Sequence, residues 1–349
     1  MNSKAGPSAI ALAILLTACG GEIEVEVDPA LGGDGLRQAS STQGCSTTAG
    51  TGCAVVQSLL AERSGFGRRT VGGVGGRVYW VTNSNDSGPG SLRAALESSE
   101  KLWIRFARNV SIKLRDRIRV RSHKTVDGRG RSVALSGDGL LLLGARHVIV
   151  SDITLRDGKV DAIGIKGGAS HIWVHHCDLS NYEDGLIDIT RDSSAVTVSW
   201  NRLHDHDKGM VIGLQREHCD DSHQFVTVHH NLFDRVRQRA PRVAQSWVHH
   251  YNNVHLAWSI YAVSVSELGE VYAEQNYFEA AGQKTTFRFD LDSGEGYLRS
   301  VGNVFRNGAR PDDNSPGKVG EPSRYYSYRA DRAGSALRDR VRAKVGPRS

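Results

Sequence analysis

Short stretches in which apolar and polar residues alternate recur along the middle of the chain. In Val148-Ile-Val-Ser-Asp-Ile-Thr-Leu155 the first, third, sixth and eighth places are apolar. The same frame returns six times, as Ile172–Leu179, Val196–Leu203, Val226–Phe233, Trp247–Val254, Val271–Phe278 and Leu298–Phe305, at spacings of 24, 24, 30, 21, 24 and 27 residues. Period two predicts a strand. Its return every 21 to 30 residues, with no helical segment between copies, predicts a solenoid in which each copy opens one coil. Asn201, Asn231, Asn252, Asn276 and Asn303 share the sixth place. Equivalent side chains of stacked coils lie about 4.8 Å apart, so these asparagines are expected to form a hydrogen-bonded ladder inside a turn. A sandwich or propeller does not predict one asparagine at a fixed phase in five consecutive strands. The expected fold is all-β, a right-handed single-stranded parallel β-helix.

The frame also sorts the charged residues. Counted from the first residue of each frame, Asp161 lies 13 places on, Asp184 12, Lys208 12 and Arg239 13. Equal phase on successive coils predicts a vertical stack on one sheet face, two carboxylates followed by two cations. Asp188 and Arg242 both fall 16 places on and should flank it. The paired histidines 175/176, 229/230 and 249/250 read as a satisfied ladder rather than a metal site, because alternation should send one of each pair inward and one outward.

Composition adds little to this picture except at the ends. The formal charge of +6 comes wholly from residues 306–349, which hold eleven Lys or Arg against five Asp or Glu, so residues 1–305 are neutral and nucleic acid is not an expected partner. At the other end Lys4 precedes the apolar run Ala9–Leu16 and then Leu16-Thr17-Ala18-Cys19. This resembles a bacterial lipobox, which implies a signal peptide over 1–18, acylation of Cys19, and a protein outside the cytoplasm whose membrane attachment is through lipid alone; a plain secretory signal is the alternative. Gly20 in place of an aspartate favours the outer membrane or cell surface. Residues 19–53 read as a flexible tether, 54–330 as the β-helix, and 331–349 as a basic C-terminal segment able to form a helix. With Cys19 acylated, Cys45, Cys53, Cys177 and Cys219 remain, an even number in an oxidising compartment. Cys45 with Cys53 and Cys177 with Cys219 is the favoured pairing of three possible.

The stack lies within a set of motifs. Asp161-Ala-Ile, Trp173-Val-His-His-Cys177, Asp184-Gly-Leu-Ile-Asp188, Val196-Thr-Val-Ser-Trp-Asn201, His206-Asp-Lys208 with Ile212-Gly213, and Arg239-Ala-Pro-Arg242 stand in that order, with Gly90-Ser-Leu-Arg93, Thr125-Val-Asp-Gly-Arg-Gly130 and Trp258-Ser-Ile-Tyr-Ala262 around them. Over residues 64–330 the chain resembles pectate lyases of polysaccharide lyase family one. The resemblance implies a calcium-dependent β-elimination on polygalacturonate that leaves 4,5-unsaturated oligogalacturonides. It implies Asp161, Asp184 and Asp188 as ligands of Ca2+, Lys208 as the contact to a substrate carboxylate, and Arg239 as the base. A monomer is expected.

Three positions depart from that pattern. Ala244 stands where the family has a substrate-binding arginine, a role that Arg242 or Arg237 could take over. His175 replaces an aspartate, and Lys159 stands where some bacterial members carry another calcium-binding acid. Ala244 and Lys159 support the alternative of a catalytically weakened surface lipoprotein that binds acidic glycans. A pectin lyase is a lesser reading, since it needs no calcium and leaves three phased aspartates unexplained.

Overall fold

The structure is a computed structural model that describes residues 52–213, 224–289, 294–310 and 318–348. Cys19, Cys45 and Cys219 lie outside the described residues. Cys53 opens the helix Cys53–Leu60, but its side chain lies outside them too.

Among the described residues every strand pairing is parallel, and each coil contributes to up to three faces of a β-helix. The first face has ten strands among them, from Arg77–Val81 to Tyr297–Val301, stacked strictly in chain order. Its apolar places meet like with like. Val148, Ile172, Val196, Val226 and Val248 form one column and Val150, Val174, Val198 and Val228 the next, all fully buried in the lumen. Each such aliphatic side chain removed from water contributes about 1.5–3 kcal/mol before chain entropy is counted. At one end of the solenoid Ser91 caps the helix Leu92–Glu97 by accepting from Ala94 N, and that helix buries Leu92, Ala95 and Leu96 in the main core.

A sharp bend separates the first face from the second, whose strands run from Val110–Lys113 to Val304–Arg306. Its fifth-place residue is left-handed in each coil, at Asp152, His176, Trp200, His230, Asn252, Gln275 and Gly302. The sixth place then turns inward and forms the ladder. Asn201 Nδ2 donates to Asn231 Oδ1 (2.9 Å), Asn231 to Asn253 (3.0 Å), Asn253 to Asn276 (3.1 Å) and Asn276 to Asn303 (2.9 Å). Each carbonyl also accepts the backbone N–H of the preceding asparagine.

The ladder corrects the expected frame at one coil. Val226 pairs with Val248, not Trp247, so the rung is Asn253, while Asn252 sits at the bend and bonds to Gln275 O and Asp331. The same shift changes the histidines. His250 points into the lumen beside Ala273 and meets His255 Nε2 at 3.3 Å, whereas His175 and His229 point away from it and His176 and His230 occupy the bend. Inward–outward alternation therefore holds only for 249/250.

Cys177 corrects the disulfide expectation. It occupies the sixth place of its coil, below the ladder, where its N–H donates to Asn201 Oδ1 (2.8 Å). The thiol is free and fully buried, and burial pushes its pKa up to about 12. Pairing with Cys219 would require a lumen group to leave the core.

The C-terminal segment crosses the outside of the bends in the direction opposite to the coils. Tyr328 OH donates to Glu274, Asp331 N to Asn252, and Gly346 N to Trp200 O. Arg348 ends the crossing with donations to Asp152, which is fully buried, and to Glu62 after the first helix. The helix Ser335–Lys344 within this segment buries Leu337 and Val341 against Leu232, Val254 and Tyr277. Among the described residues no helix is long and apolar enough to cross a membrane.

Candidate active site

The third face carries the charges. Its strands are Leu140–Leu143, Ile163–Lys166, Gly185–Ile189, the second half of Arg202–Ile212, Arg242–Ala244, Tyr261–Ser266 and Thr285–Phe289. Leu140, Ile163, Ile187 and Met210 stack inward. One residue on, the outward row reads Leu141, Gly164, Asp188, Val211, Arg242, Ser264 and Arg288. Asp188 and Arg242 thus share a row, with Val211 between them.

Asp161 reaches the same corner from the turn before its strand. It is 1% exposed, and its Oδ1 accepts from Gly185 N (3.2 Å) while Oδ2 accepts from Lys166 Nζ (3.1 Å). Gly185 is needed there because it lacks a side chain. A Cβ at Gly185 would lie 2.5 Å from Asp188 Oδ1 and 3.3 Å from Asp161 Oδ1, so both oxygens border one small space. Asp188 Oδ1 is buried and has no hydrogen-bond partner among the described residues. Burial first, and then the negative charge of Asp161, push the Asp188 carboxyl well above the usual carboxylate range; Lys166 opposes this and Asp184 adds to it. Asp184 stands at the edge, half-exposed, its Oδ1 accepting from Lys208 Nζ at 2.7 Å. His206 Nε2 donates to the Asp184 carbonyl (2.7 Å) and fixes that turn. An all-oxygen corner with an unpartnered buried carboxylate oxygen, and with lysines drawn to the other two acids, fits a hard divalent cation such as calcium.

Beyond the carboxylates the face becomes cationic. Arg239 is half-buried at a left-handed residue (φ 57°) just before the cis Ala240–Pro241 bond, and its carbonyl accepts from Met210 N. Among the described residues no acceptor holds its guanidinium. Arg237 is different, being tied to Asp207 (3.2 Å) and Ser259 (3.3 Å). Ala244 is fully buried beside Ser266, so this place contributes no charge to the face.

Comparison with known proteins agrees with this architecture. The family model described as pectate lyase matches residues 94–294. Probable pectate lyase 4 of Arabidopsis thaliana is 36% identical over 242 residues, 66% of each chain, and putative pectate lyase 2 of the same plant is 36% identical over 277 residues, 70% of this chain and 72% of its own. The chain belongs to the pectate lyase family. Among solved structures the major cedar pollen allergen jun a 1 superposes with a TM-score of 0.77 at 31% identity, covering 83% of this chain and 94% of its own. A Bacillus pectate lyase in complex with trigalacturonate shares the fold, with a TM-score of 0.68 at 24% identity over 82% of this chain and 98% of its own.

As a polysaccharide lyase the protein keeps most of its expected charged stack, with a slip. Lys208 is level with Gly185 and Gln238, so Asp184 and Arg239 stand one residue before and after that row rather than in it. The column is bent because Asp184 lies in a turn, not on the strand. Lys159 is exposed and points no ammonium at the acid corner among the contacts described. His175 bonds to Ser199 Oγ and Glu62 Oε2, both at 2.9 Å, on the far side of the coil. Although Glu62, His175 and His176 bring ligand atoms within 4.8 Å of one another, Arg348 already donates to Glu62 there, so the lyase fold uses the cluster as a clasp.

Two residues at the corner escape sequence reasoning. Lys166 is drawn to Asp161, and Arg117 lies 3.9 Å from the same oxygen and 3.6 Å from Asp138. Lys166 leaves one trace, a charge at an outward place of an otherwise apolar strand. Arg117 leaves none, since its coil precedes the repeat frame.

Proposed function

We propose that the protein is a calcium-dependent pectate lyase that cleaves polygalacturonate by β-elimination and leaves 4,5-unsaturated oligogalacturonides. The observation that carries this reading is the unpartnered Asp188 oxygen beside Asp161 and Gly185. Asp161, Asp184 and Asp188 would hold calcium, which when bound draws electron density from a substrate carboxylate and makes the neighbouring C5 proton more acidic. The chain's own cations do the rest. Lys208 and Arg242 face the groove and neutralise uronate carboxylates. Arg239, which no acceptor holds among the described residues, takes the C5 proton; the C–H electron pair becomes the C4–C5 double bond as the C4–O bond breaks, and the leaving oxygen gains a proton from solvent. A guanidinium can accept a proton only after losing one, so turnover is expected to rise into the alkaline range.

Absorbance of the unsaturated product, followed with calcium and with chelator, tests the reading. Calcium-dependent product formation supports it. Calcium-dependent binding without product at any pH would instead establish a glycan-binding protein, the reading that the missing arginine at Ala244 favours. We further propose attachment outside the cytoplasm through Cys19. Cys19→Ser should move the protein from the membrane to the soluble fraction, and its retention would show another anchor.

A further inference from the structure

A second column of basic residues runs up another corner of the coils, where the third face turns back into the first. His123, His147 and His171 occupy it on three consecutive coils, each at a left-handed residue (φ 58°, 55° and 57°). Lys101, the residue before Leu102, continues the column one coil further. The imidazoles stack with centroids 5.3 and 4.6 Å apart. Nδ1 of His123 and of His147 is buried and has no partner among the described residues. The side chains of Lys101, Arg121 and Arg146 are exposed beside the column. The adjoining carboxylate, Glu100, is held by Arg77 at 2.6 Å.

We propose that this corner is a second, non-catalytic binding strip for a linear polyuronate, with the three imidazoles as its acid-sensitive members. The proposal rests on the lyase reading only for the choice of glycan. One group able to carry positive charge per coil, over four coils, repeats at about 4.8 Å, close to the length of one sugar in an extended uronate chain that bears one carboxylate per residue. A metal ion is the poorer fit, because the charges facing the rings are positive. His123 faces Lys101 and Lys124, His147 faces Lys101, Arg146 and both other histidines, and His171 faces Arg146 and Arg69, with Arg191 and Asp192 at the turn of the next coil. Burial and these cations hold all three imidazoles below the ordinary histidine value, so near neutral pH the rings are uncharged and only the lysine and arginines attract a polyanion. Acidification, or the approach of carboxylates, protonates them. A column one side chain wide also suits an extended chain better than a plane of lipid headgroups.

The strip can be read apart from the groove by measuring polygalacturonate binding in chelator, for example by affinity electrophoresis. Wild type should bind roughly tenfold tighter at about pH 5 than at about pH 7.5. His123→Gln/His147→Gln/His171→Gln should lose that gain. Lys101→Gln/Arg146→Gln, which alters only exposed side chains, should weaken binding severalfold at both pH values. Turnover of trigalacturonate with calcium should be unchanged in both variants. Absent binding in chelator, an acid gain that survives the triple substitution, or equal retention on anionic phospholipid vesicles would overturn the proposal. Failure of wild type to turn over trigalacturonate would sink the lyase reading while leaving the binding result to decide the strip.

Discussion

Two corners of the same coil solve the problem of stacked polar groups in opposite ways. At the bend between the first and second faces, five asparagines lie one above another, the first four each donating to the next and all five accepting a backbone N–H, while Asn303 ends the stack by donating to Ala273 O and Ser300 Oγ. At the turn into the third face, Asp161 and Asp188 border a space that Gly185 leaves open by having no side chain, and one buried oxygen has no partner among the described residues. Amides carry both donors and acceptors and can complete one another indefinitely; carboxylates carry acceptors alone and must draw cations from elsewhere. The first corner therefore stabilises the protein as it stands. The second is stabilised by lysines only in part and is arranged for an added cation.

The largest effect expected from this contrast is kinetic. Arg239→Lys should lower turnover by about 100-fold or more while calcium-dependent binding of polygalacturonate stays close to wild type, because positive charge remains while its placement is lost. Steady-state rates together with a binding isotherm check this, and full turnover in the variant would remove Arg239 from the role of base. Next comes the closed corner. Asn231→Ala breaks two rungs and leaves buried N–H groups unmet, at about 1–3 kcal/mol; thermal melts should show the loss equally with calcium and with chelator.

At the open corner a substitution should have the opposite sign. The folded-state pKa of Asp188 is raised above its unfolded value, so its contribution is fully present below the unfolded value of about 4 and is lost as pH rises through the folded one. In chelator, Asp188→Asn should therefore stabilise the protein near neutral pH by about 1 kcal/mol and do nothing at about pH 3. In calcium the same variant should lose the cation's stabilisation and melt below wild type. A variant that melts lower under both conditions would mean the carboxylate is satisfied in the free protein, and the contrast between the corners would disappear.

How much of this was legible in the chain follows from what each position must do. Lumen positions admit little besides aliphatic residues, so Val148, Ile172, Val196 and Val226 announce the coils without help. The frame slips at Trp247-Val248 and Asn252-Asn253 because both neighbours satisfy the pattern, and only the left-handed bend decides between them. Cys177 shares the sixth place with Asn201, so its phase marks it as a lumen residue more strongly than an even number of cysteines marks it as a disulfide partner. Asp161, Asp188 and Arg242 were legible from phase alone. The placement of Asp184 was not, because it depends on the turn before Gly185 rather than on strand spacing, and Lys166 acts through a side chain long enough to leave its own row.

The crossing of the C-terminal segment alters how such a stack can come apart. Coils that touch only their neighbours can fray one at a time from either end, each loss exposing the next. Here a single stretch bonds in turn to Glu274, Asn252, Trp200 and Asp152, coils far apart in the chain, and Arg348 closes it onto the segment that follows the first helix. Unzipping from one end therefore pulls on contacts near the other, and a one-dimensional array acquires the all-or-none behaviour of a globular domain.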